Sequence, residues 1–310
     1  MSRLEANTGS VLARLWIYQA ERFPLARTIP LLGAFSVASV SASARLAGRP
    51  LPDLGTYFAA FLIVLVFFWQ LRVADEVKDA DTDRRYRPER PIPRGLISLR
   101  LIVWLGLAAS IPAIAAAYAL SPYVVGLVAV VWGWLALMTV EFFAPALLHR
   151  SPLLYLVSHM AIMPLIDLVL TGCEWVPHGA MPVGLWTFLW MSLCNGSVVE
   201  FGRKIWAPNE EREGVETYSS AWGIDRSLLA LALATLGAAI GLVSCGLILG
   251  RPIATGLIGL LVLVPFGFTL AQFRRMPDRR GQKRIETWSG LWVLACYLAA
   301  AFAPSIGGTP

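Results

Sequence analysis

The sequence predicts an all-α fold: a polytopic transmembrane helical bundle of nine spans, forming a single domain over residues 1–310. Three observations carry this. The chain is 57% hydrophobic and only 15% charged, with a mean hydropathy of +0.63, which is too apolar for a domain dissolved in water. Nine stretches, near 30–46, 54–73, 96–118, 123–143, 153–173, 183–201, 228–249, 253–273 and 288–303, approach the ~20 apolar residues that cross a hydrocarbon layer. The basic residues also sort by side. With the N-terminus in the cytoplasm, 23 of the 26 Lys and Arg fall in cytoplasmic segments, leaving Arg45, Arg49 and Arg251 opposite, as the positive-inside rule requires.

Residues 1–29 carry Arg3, Glu5, Arg14, Glu21, Arg22 and Arg27 without an uninterrupted apolar core, so no secretory signal is expected. Leu12, Leu15, Trp16, Gln19 and Phe23 recur at near-helical spacing between those charges. The pattern predicts a helix resting on the cytoplasmic interface. Pro30, Pro50, Pro52, Pro122, Pro152, Pro182 and Pro252 then punctuate the joins between spans, where a missing amide costs least.

The second span leads into a dense charged segment, 74–95, ADEVKDADTDRRYRPERPIPRG. Asp75, Asp79 and Asp83 recur every four residues, so a helix continuing past the membrane surface would stack them on one face at roughly 6 Å per step. Carboxylates this close repel one another. A cation held between them relieves that, and oxygen ligands at this density suit Mg²⁺ shared with a phosphate. Arg84, Arg85, Arg87, Arg90 and Arg94 follow. The blander reading is a solvated loop that only fixes topology.

Ionisable groups inside lipid are costly and mark cavities. Glu141, near the cytoplasmic end of span four, can simply reach the interface. His159 and Asp167 on span five lie eight residues apart, about 12 Å along the axis and 80° around it. With Tyr155 and Tyr218, they are candidates for an acceptor pocket; buried hydrogen-bonded residues of structural value are the competing reading. Cys173, Cys194, Cys245 and Cys296 lie in or beside apolar spans without a CxxC pair and read as small core residues. His149, His159 and His178 are too scattered for a metal cluster. The net charge of +6 fits loops held against anionic lipid, and no nucleic-acid partner is expected.

A second charged loop, 195–223, begins inside span six and mirrors the first in position. Together the two resemble the UbiA superfamily of intramembrane prenyltransferases, whose first signature, NDxxDxxxD, is followed by RPxPxG. Asp75 stands where that family has Asn and Glu76 where it has Asp. Asp79 and Asp83 match, and Arg90, Pro91, Pro93 and Gly95 fall on the second half. In the second loop Gly214, Val215, Thr217 and Gly223 fit a tail of the kind GIKTLPxxxG. The aspartates expected before it are missing, the nearest polar residues being Asn195, Glu200, Arg203 and Lys204.

Three accounts of that departure stand open. Glu200 and Asn195 form a reduced metal site, although about 140° of helix separates them. Alternatively, Glu210, Glu211, Glu213 and Glu216 supply carboxylates from the longer loop. In the third, Arg203 and Lys204 grip the diphosphate directly. The structural alternative for Glu200 and Lys204 is an i,i+4 ion pair.

The resemblance implies a Mg²⁺-dependent transferase moving a prenyl group from an isoprenyl diphosphate to a membrane-held acceptor. Asp75, Asp79, Asp83 and Glu200 would be catalytic. Asp75, Glu76, Asp79, Asp83, Asn195 and Glu200 would hold metal, and Arg90, Arg94, Arg203 and Lys204 the diphosphate, at cytoplasm-facing loops of an integral membrane protein. Ionising an allylic diphosphate separates an anion from a carbocation, so cations must neutralise the leaving group while apolar walls exclude water. Two other readings use the same parts: a UbiA-type terpene cyclase needing no acceptor, and a non-catalytic lipid-binding or transport member of the fold.

Overall fold

A computed structural model of the chain describes residues 9–303; the first part of the interfacial segment, with Arg3 and Glu5, lies outside them. Among the described residues every regular element is helical. Helix α1 (Val11–Arg22) begins at Ser10, whose hydroxyl accepts from the Ala13 amide. It is followed by α2 (Leu25–Leu46) and α3 (Leu54–Lys78), the latter capped by Asp53 on the Thr56 amide, the side-chain oxygen satisfying an otherwise orphaned donor.

A short α4 (Ala80–Tyr86) precedes the proline-rich turn. The third span is α5 (Leu99–Ala108) continued by α6 (Ser110–Leu120), and the fourth is α7 (Pro122–Thr139). After α8 (Pro145–Arg150), the fifth span is α9 (Pro152–Met160) continued by α10 (Ile162–Trp175). Both broken spans bend three residues before a proline, at Ala109 before Pro112 and at Ala161 before Pro164, where the ring displaces the carbonyl four residues back. The second half holds α11 (Leu185–Lys204), α12 (Tyr218–Trp222), α13 (Ile224–Ile248), α14 (Pro252–Arg275) and α15 (Arg279–Phe302).

The long helices close into a ring. Helix α15 packs on α2 and α14, α2 on α3, α3 on α5 and α6, and α7 on α10. Helices α10 and α11 pack on each other, α10 also touching α2 and α3 and α11 touching α13 and α15. One apolar core runs through the whole assembly, from Leu32 and Phe67 to Phe188, Leu242 and Trp292. All four cysteines are free and buried in it, as small core residues.

Eight helices, counting α5–α6 and α9–α10 as one each, are long and apolar enough to cross a membrane. The sixth expected span is α11, 20 residues long, which falls short because Ser192, Asn195, Ser197, Glu200, Arg203 and Lys204 dilute its apolar run. It is nonetheless packed between α10, α13 and α15. Helices α2, α3 and α15 extend beyond their expected limits, the last starting nine residues early on a polar turn capped by Asp278.

Candidate active site

The acidic row survives a kink. Helix α3 ends at Lys78, and Asp79 joins it to α4 instead of one helix running through. The amide of Asp79 still donates to the carbonyl of Asp75 (2.9 Å) and that of Asp83 to the carbonyl of Asp79 (2.7 Å). The three carboxylates therefore keep their stacked order, and their surroundings divide them. Asp83 is buried and bridged by Arg87 Nη1 at 3.2 Å and by Arg90 Nη1. Asp79 is half-buried, and burial together with the Asp83 charge pushes its carboxyl above the ordinary value, against Lys78, Arg87 and Arg90. Asp75 opens outward, 57% exposed, with Arg72 at 3.3 Å; its charge lies within reach of Glu200 and Arg203 on α11.

The proline-rich segment folds back beneath this row. Pro91 and Pro93 cannot donate, and the turn closes through Arg94 on the Arg90 carbonyl, Gly95 on Ile92 and Leu96 on Pro91, each at 3.0 Å. Gly95 has φ +81°, a left-handed conformation that a side chain resists. The two loops meet at a second such glycine. Gly214 has φ +74°, and a Cβ there would lie 2.4 Å from the ring of Tyr86 on α4, so the second-loop backbone sits directly on the first.

Glu200 faces the same cleft. Lys204 Nζ lies 2.8 Å from Glu200 Oε1 and Arg203 Nη2 3.5 Å from Oε2, so the helix-end ion pair forms, and the Arg203 charge also reaches Asp75. Of the alternative carboxylates, Glu211 accepts from Thr217 (2.8 Å) and Ser219 (2.7 Å) and organises its own loop. Glu210 lies 3.5 Å from Arg279. A small cavity of about 60 Å³ opens between Tyr155, Lys204, Glu216, Thr217 and Tyr218. Burial, then the charge of Glu200, raises the Tyr218 phenol, keeping it a neutral donor.

Lys78, one residue before Asp79, is the group that reading by sequence passed over. Its ammonium donates to the Tyr155 hydroxyl, lies 3.0 Å from Glu141 Oε1 and 3.4 Å from His159 Nε2. His159 Nδ1 lies 2.9 Å from the Tyr155 carbonyl, which can only accept, so Nδ1 carries the proton and Nε2 faces Lys78. The Tyr155 and His159 rings stack at 3.9 Å. Glu141, Phe142 and Phe143 all have positive φ, 48°, 52° and 57°, a strained run that ordinary side chains avoid. The signal in the sequence was Lys78 itself, a base inside an acidic motif, easily taken for an interface anchor.

Four residues picked out with this group lie elsewhere. Glu76 is buried and points away, 100° around α3 from Asp75, accepting from Arg22 Nε at 2.6 Å and from Tyr18 at 3.3 Å. Arg94 makes a two-pronged pair with Glu21, at 2.9 and 2.7 Å. Asn195 is buried beside Cys296 on α15, not beside Glu200. Asp167 is fully buried and accepts from Ser39 at 2.7 Å and from Tyr297, whose hydroxyl also lies 3.2 Å from Ser192 Oγ. That network ties four helices together and satisfies the carboxylate.

No three His, Cys, Asp or Glu side chains converge on a point among the described residues, so the protein alone builds no metal cage. The donor set nonetheless fits Mg²⁺, which takes one or two carboxylates and completes its shell with water and phosphate oxygens. Asp83 is taken up by two arginines, whereas Asp75 has Arg72 at 3.3 Å and Asp79 has a carboxyl raised by burial first and by the Asp83 charge second, so these two are the carboxylates of the row that a cation would serve.

Solved structures share this fold at low identity. A UbiA homologue from Aeropyrum pernix K1 superposes with a TM-score of 0.65 at 16% identity, over 86% of this chain and 97% of that one. A digeranylgeranylglyceryl phosphate synthase gives 0.57 at 15%, over 93% and 99%. A UbiA homologue from Archaeoglobus fulgidus, bound to DMAPP and Mg²⁺, gives 0.53 at 14%, over 91% and 98%. Among curated proteins no sequence relative matches. The sequence model of the UbiA prenyltransferase family matches residues 34–295, which contain the acidic row, the glycine turn and the facing end of α11, and the chain belongs to that family.

Proposed function

We propose that this protein is a Mg²⁺-dependent intramembrane prenyltransferase that moves a prenyl group from an isoprenyl diphosphate to an acceptor held in the membrane. The observation that carries this reading is the approach of Asp75, in the acidic row that ends α3, to Glu200 and Arg203 on α11, with Lys204 paired to Glu200, at one end of an apolar bundle. On this reading α11 is the sixth of nine spans, since 20 residues give the ~30 Å that a hydrocarbon layer demands. The Lys and Arg distribution puts the N-terminus and both loops in the cytoplasm.

Asp75, Asp79 and Glu200 hold the metal side of the diphosphate, and Mg²⁺, when bound, neutralises the leaving group as the allylic C–O bond breaks. Arg203 and Lys204, now resting on Glu200, reach the phosphate oxygens. The prenyl chain lies among apolar side chains that keep water from the carbocation. Tyr155, His159 and Tyr218 wall the acceptor side, where Lys78 fixes the first two in place. Asp83 and Arg90 act as a pair that shapes the loop, and the cluster around Asp167 holds the helices in register.

The test is diphosphate release by purified protein with geranylgeranyl diphosphate and a shorter homologue, with and without Mg²⁺, and with and without membrane extract as the acceptor source. Release requiring both Mg²⁺ and extract supports transfer. Release without extract points to cyclisation or hydrolysis, and metal-dependent binding without release to a non-catalytic lipid-binding member of the fold. Asp79→Ala should abolish release while the protein still elutes as a folded species, because a half-buried loop carboxylate contributes more to metal than to packing.

A further inference from the structure

The interfacial helix α1 touches the first motif at both of its halves. Arg22 holds Glu76, which stands between Asp75 and Asp79 in the sequence, through Nε at 2.6 Å, and the Tyr18 hydroxyl adds a bond at 3.3 Å. One residue earlier in α1, Glu21 holds Arg94 of the proline-rich turn through both carboxylate oxygens. The apolar contacts repeat this pairing independently. Tyr18 forms a small core with Val73 of α3, Ile97 of the turn and Ile102 of α5, supported by Leu15, Trp69 and Ile92, and it is separate from the main core of the bundle. Tyr18 and Phe23 both meet Trp69 edge-on, with ring centroids at 6.0 and 5.6 Å.

The two anchor points are the end of a long helix and a turn in which Pro88, Pro91 and Pro93 have no amide to give. A carboxylate row whose members repel one another needs its backbone held from outside, because the unpaired charges would otherwise pull the kink at Asp79 apart. Leu12 and Trp16, 78% and 69% exposed, line with Tyr18 and Phe23 an apolar groove against Leu65, Trp69 and Leu105, a face suited to the lipid interface. We infer that α1 is a brace for the catalytic motif, in which Arg22, Glu76, Glu21, Arg94 and Tyr18 are positioning residues that set the spacing of Asp75 and Asp79. Glu76 then acts through Arg22 and not as a metal ligand, and Arg94 acts through Glu21 and not on phosphate. This rests on the role proposed above for Asp75 and Asp79, but the brace itself is a statement about the fold.

Two measurements on the full chain in lipid nanodiscs test it. The first is amide hydrogen exchange over residues 79–97 in EDTA. Arg22→Gln and Glu76→Gln should each speed exchange there about tenfold, the scale of one lost charge-assisted hydrogen bond, with exchange in α13 and α14 unchanged. The second is the Mg²⁺ concentration for half-maximal diphosphate release, which should rise several-fold in both variants. Because Glu76 is buried, the reciprocal exchange is made at the half-exposed outer pair: Glu21→Arg and Arg94→Glu should each speed exchange, and the double variant should restore it. Unchanged exchange in Arg22→Gln overturns the brace. So does a raised Mg²⁺ requirement in Glu76→Gln alone, which would make Glu76 a direct ligand. Should the wild-type protein release no diphosphate, the exchange measurement still decides the matter, so failure of the proposed function and failure of the brace are separate results.

Discussion

The pair formed by Lys78 and Glu141 offers the sharpest test of how the site is held. Their charges lie 3.0 Å apart with side-chain exposures of 20% and 14%, between the regimes of surface pairs, worth 0.2–1 kcal/mol, and buried pairs, where removing one partner costs 3–5. Lys78→Met keeps the apolar stem and removes the ammonium, taking one charge partner from Glu141 in its strained turn and the donor from Tyr155. A loss of about 2 kcal/mol follows from that intermediate setting. Glu141→Gln should cost about 1 kcal/mol, because Lys78 keeps the Tyr155 hydroxyl and His159 Nε2 as acceptors. Once either charge is gone the other change should matter less, so the double variant should fall near Lys78→Met alone, a coupling on the order of 1 kcal/mol. Scaling the entropy of unfolding to a chain of 310 residues makes 1 kcal/mol roughly 1.5 °C in Tm. Melting curves of all four proteins, followed by size-exclusion fluorescence at one scan rate, read this directly. Strict additivity of the two losses would refute the pairing as the force that holds the 141–143 turn.

Other perturbations act at separate points. Gly202→Ala would set a methyl 2.3 Å from Ser289 Oγ and 2.6 Å from its Cβ, an overpacking cost of about 1–3 kcal/mol. Adding Ser289→Gly should recover most of it in the same melting assay. Asp167→Leu would take the carboxylate acceptor from the Tyr297 and Ser39 hydroxyls, leaving them Ser192 and the Phe35 carbonyl, and should cost about 2 kcal/mol; Asp167→Asn, able to accept one of the two bonds, should cost about half as much. For Asp79, burial and the Asp83 charge raise the carboxyl from its ordinary 3.8, so the fold favours the neutral form. That stabilisation is complete below the ordinary value and lost as pH rises through the raised one. In EDTA the wild-type Tm should therefore fall over that window more than the Tm of Asp79→Asn does, and a parallel fall in both would exclude Asp79 as the source.

How much of this was legible depends on whether the constraint is local. Lipid imposes length and apolarity on each helix separately, so Leu54, Leu153 and Ile253 were visible as span starts within a residue or two, and Pro112 and Pro164 mark the bends. The stacking of Asp75, Asp79 and Asp83 is also local, fixed by helical spacing even across a kink. Glu76 is different. Beside Asp75 in sequence it passes for a fellow ligand, but one step of the helix turns it toward Arg22, 54 positions earlier. Asp167 depends in the same way on Ser39 and Tyr297, 128 and 130 positions distant. Helix α11 was expected because its neighbours and the charge sorting asked for a span there, and a helix does form at Leu185–Lys204, but its own polar residues keep it outside the eight helices apolar enough to cross a membrane.

The acidic row shows how one periodic motif is divided into different tasks. All three aspartates have equivalent backbone positions, so their roles come from what the rest of the chain brings to each. The proline-rich turn returns Arg90 to Asp83, and Arg87 joins it from the end of α4, so that carboxylate is spent on structure. Among the described residues no ion pair of that kind joins Asp79, which feels Lys78, Arg87 and Arg90 as nearby charges, and Asp75 has Arg72 at 3.3 Å. The less compensated charge thus lies at Asp75 and Asp79, of which Asp75 comes within reach of Glu200 and Arg203. On the proposed function a cation entering there would relieve repulsion within the row, and the diphosphate accompanying it would meet the basic pair. A turn and an α1 that hold Asp75 and Asp79 in place beforehand would make the repulsion in the row part of the affinity for the metal and its phosphate.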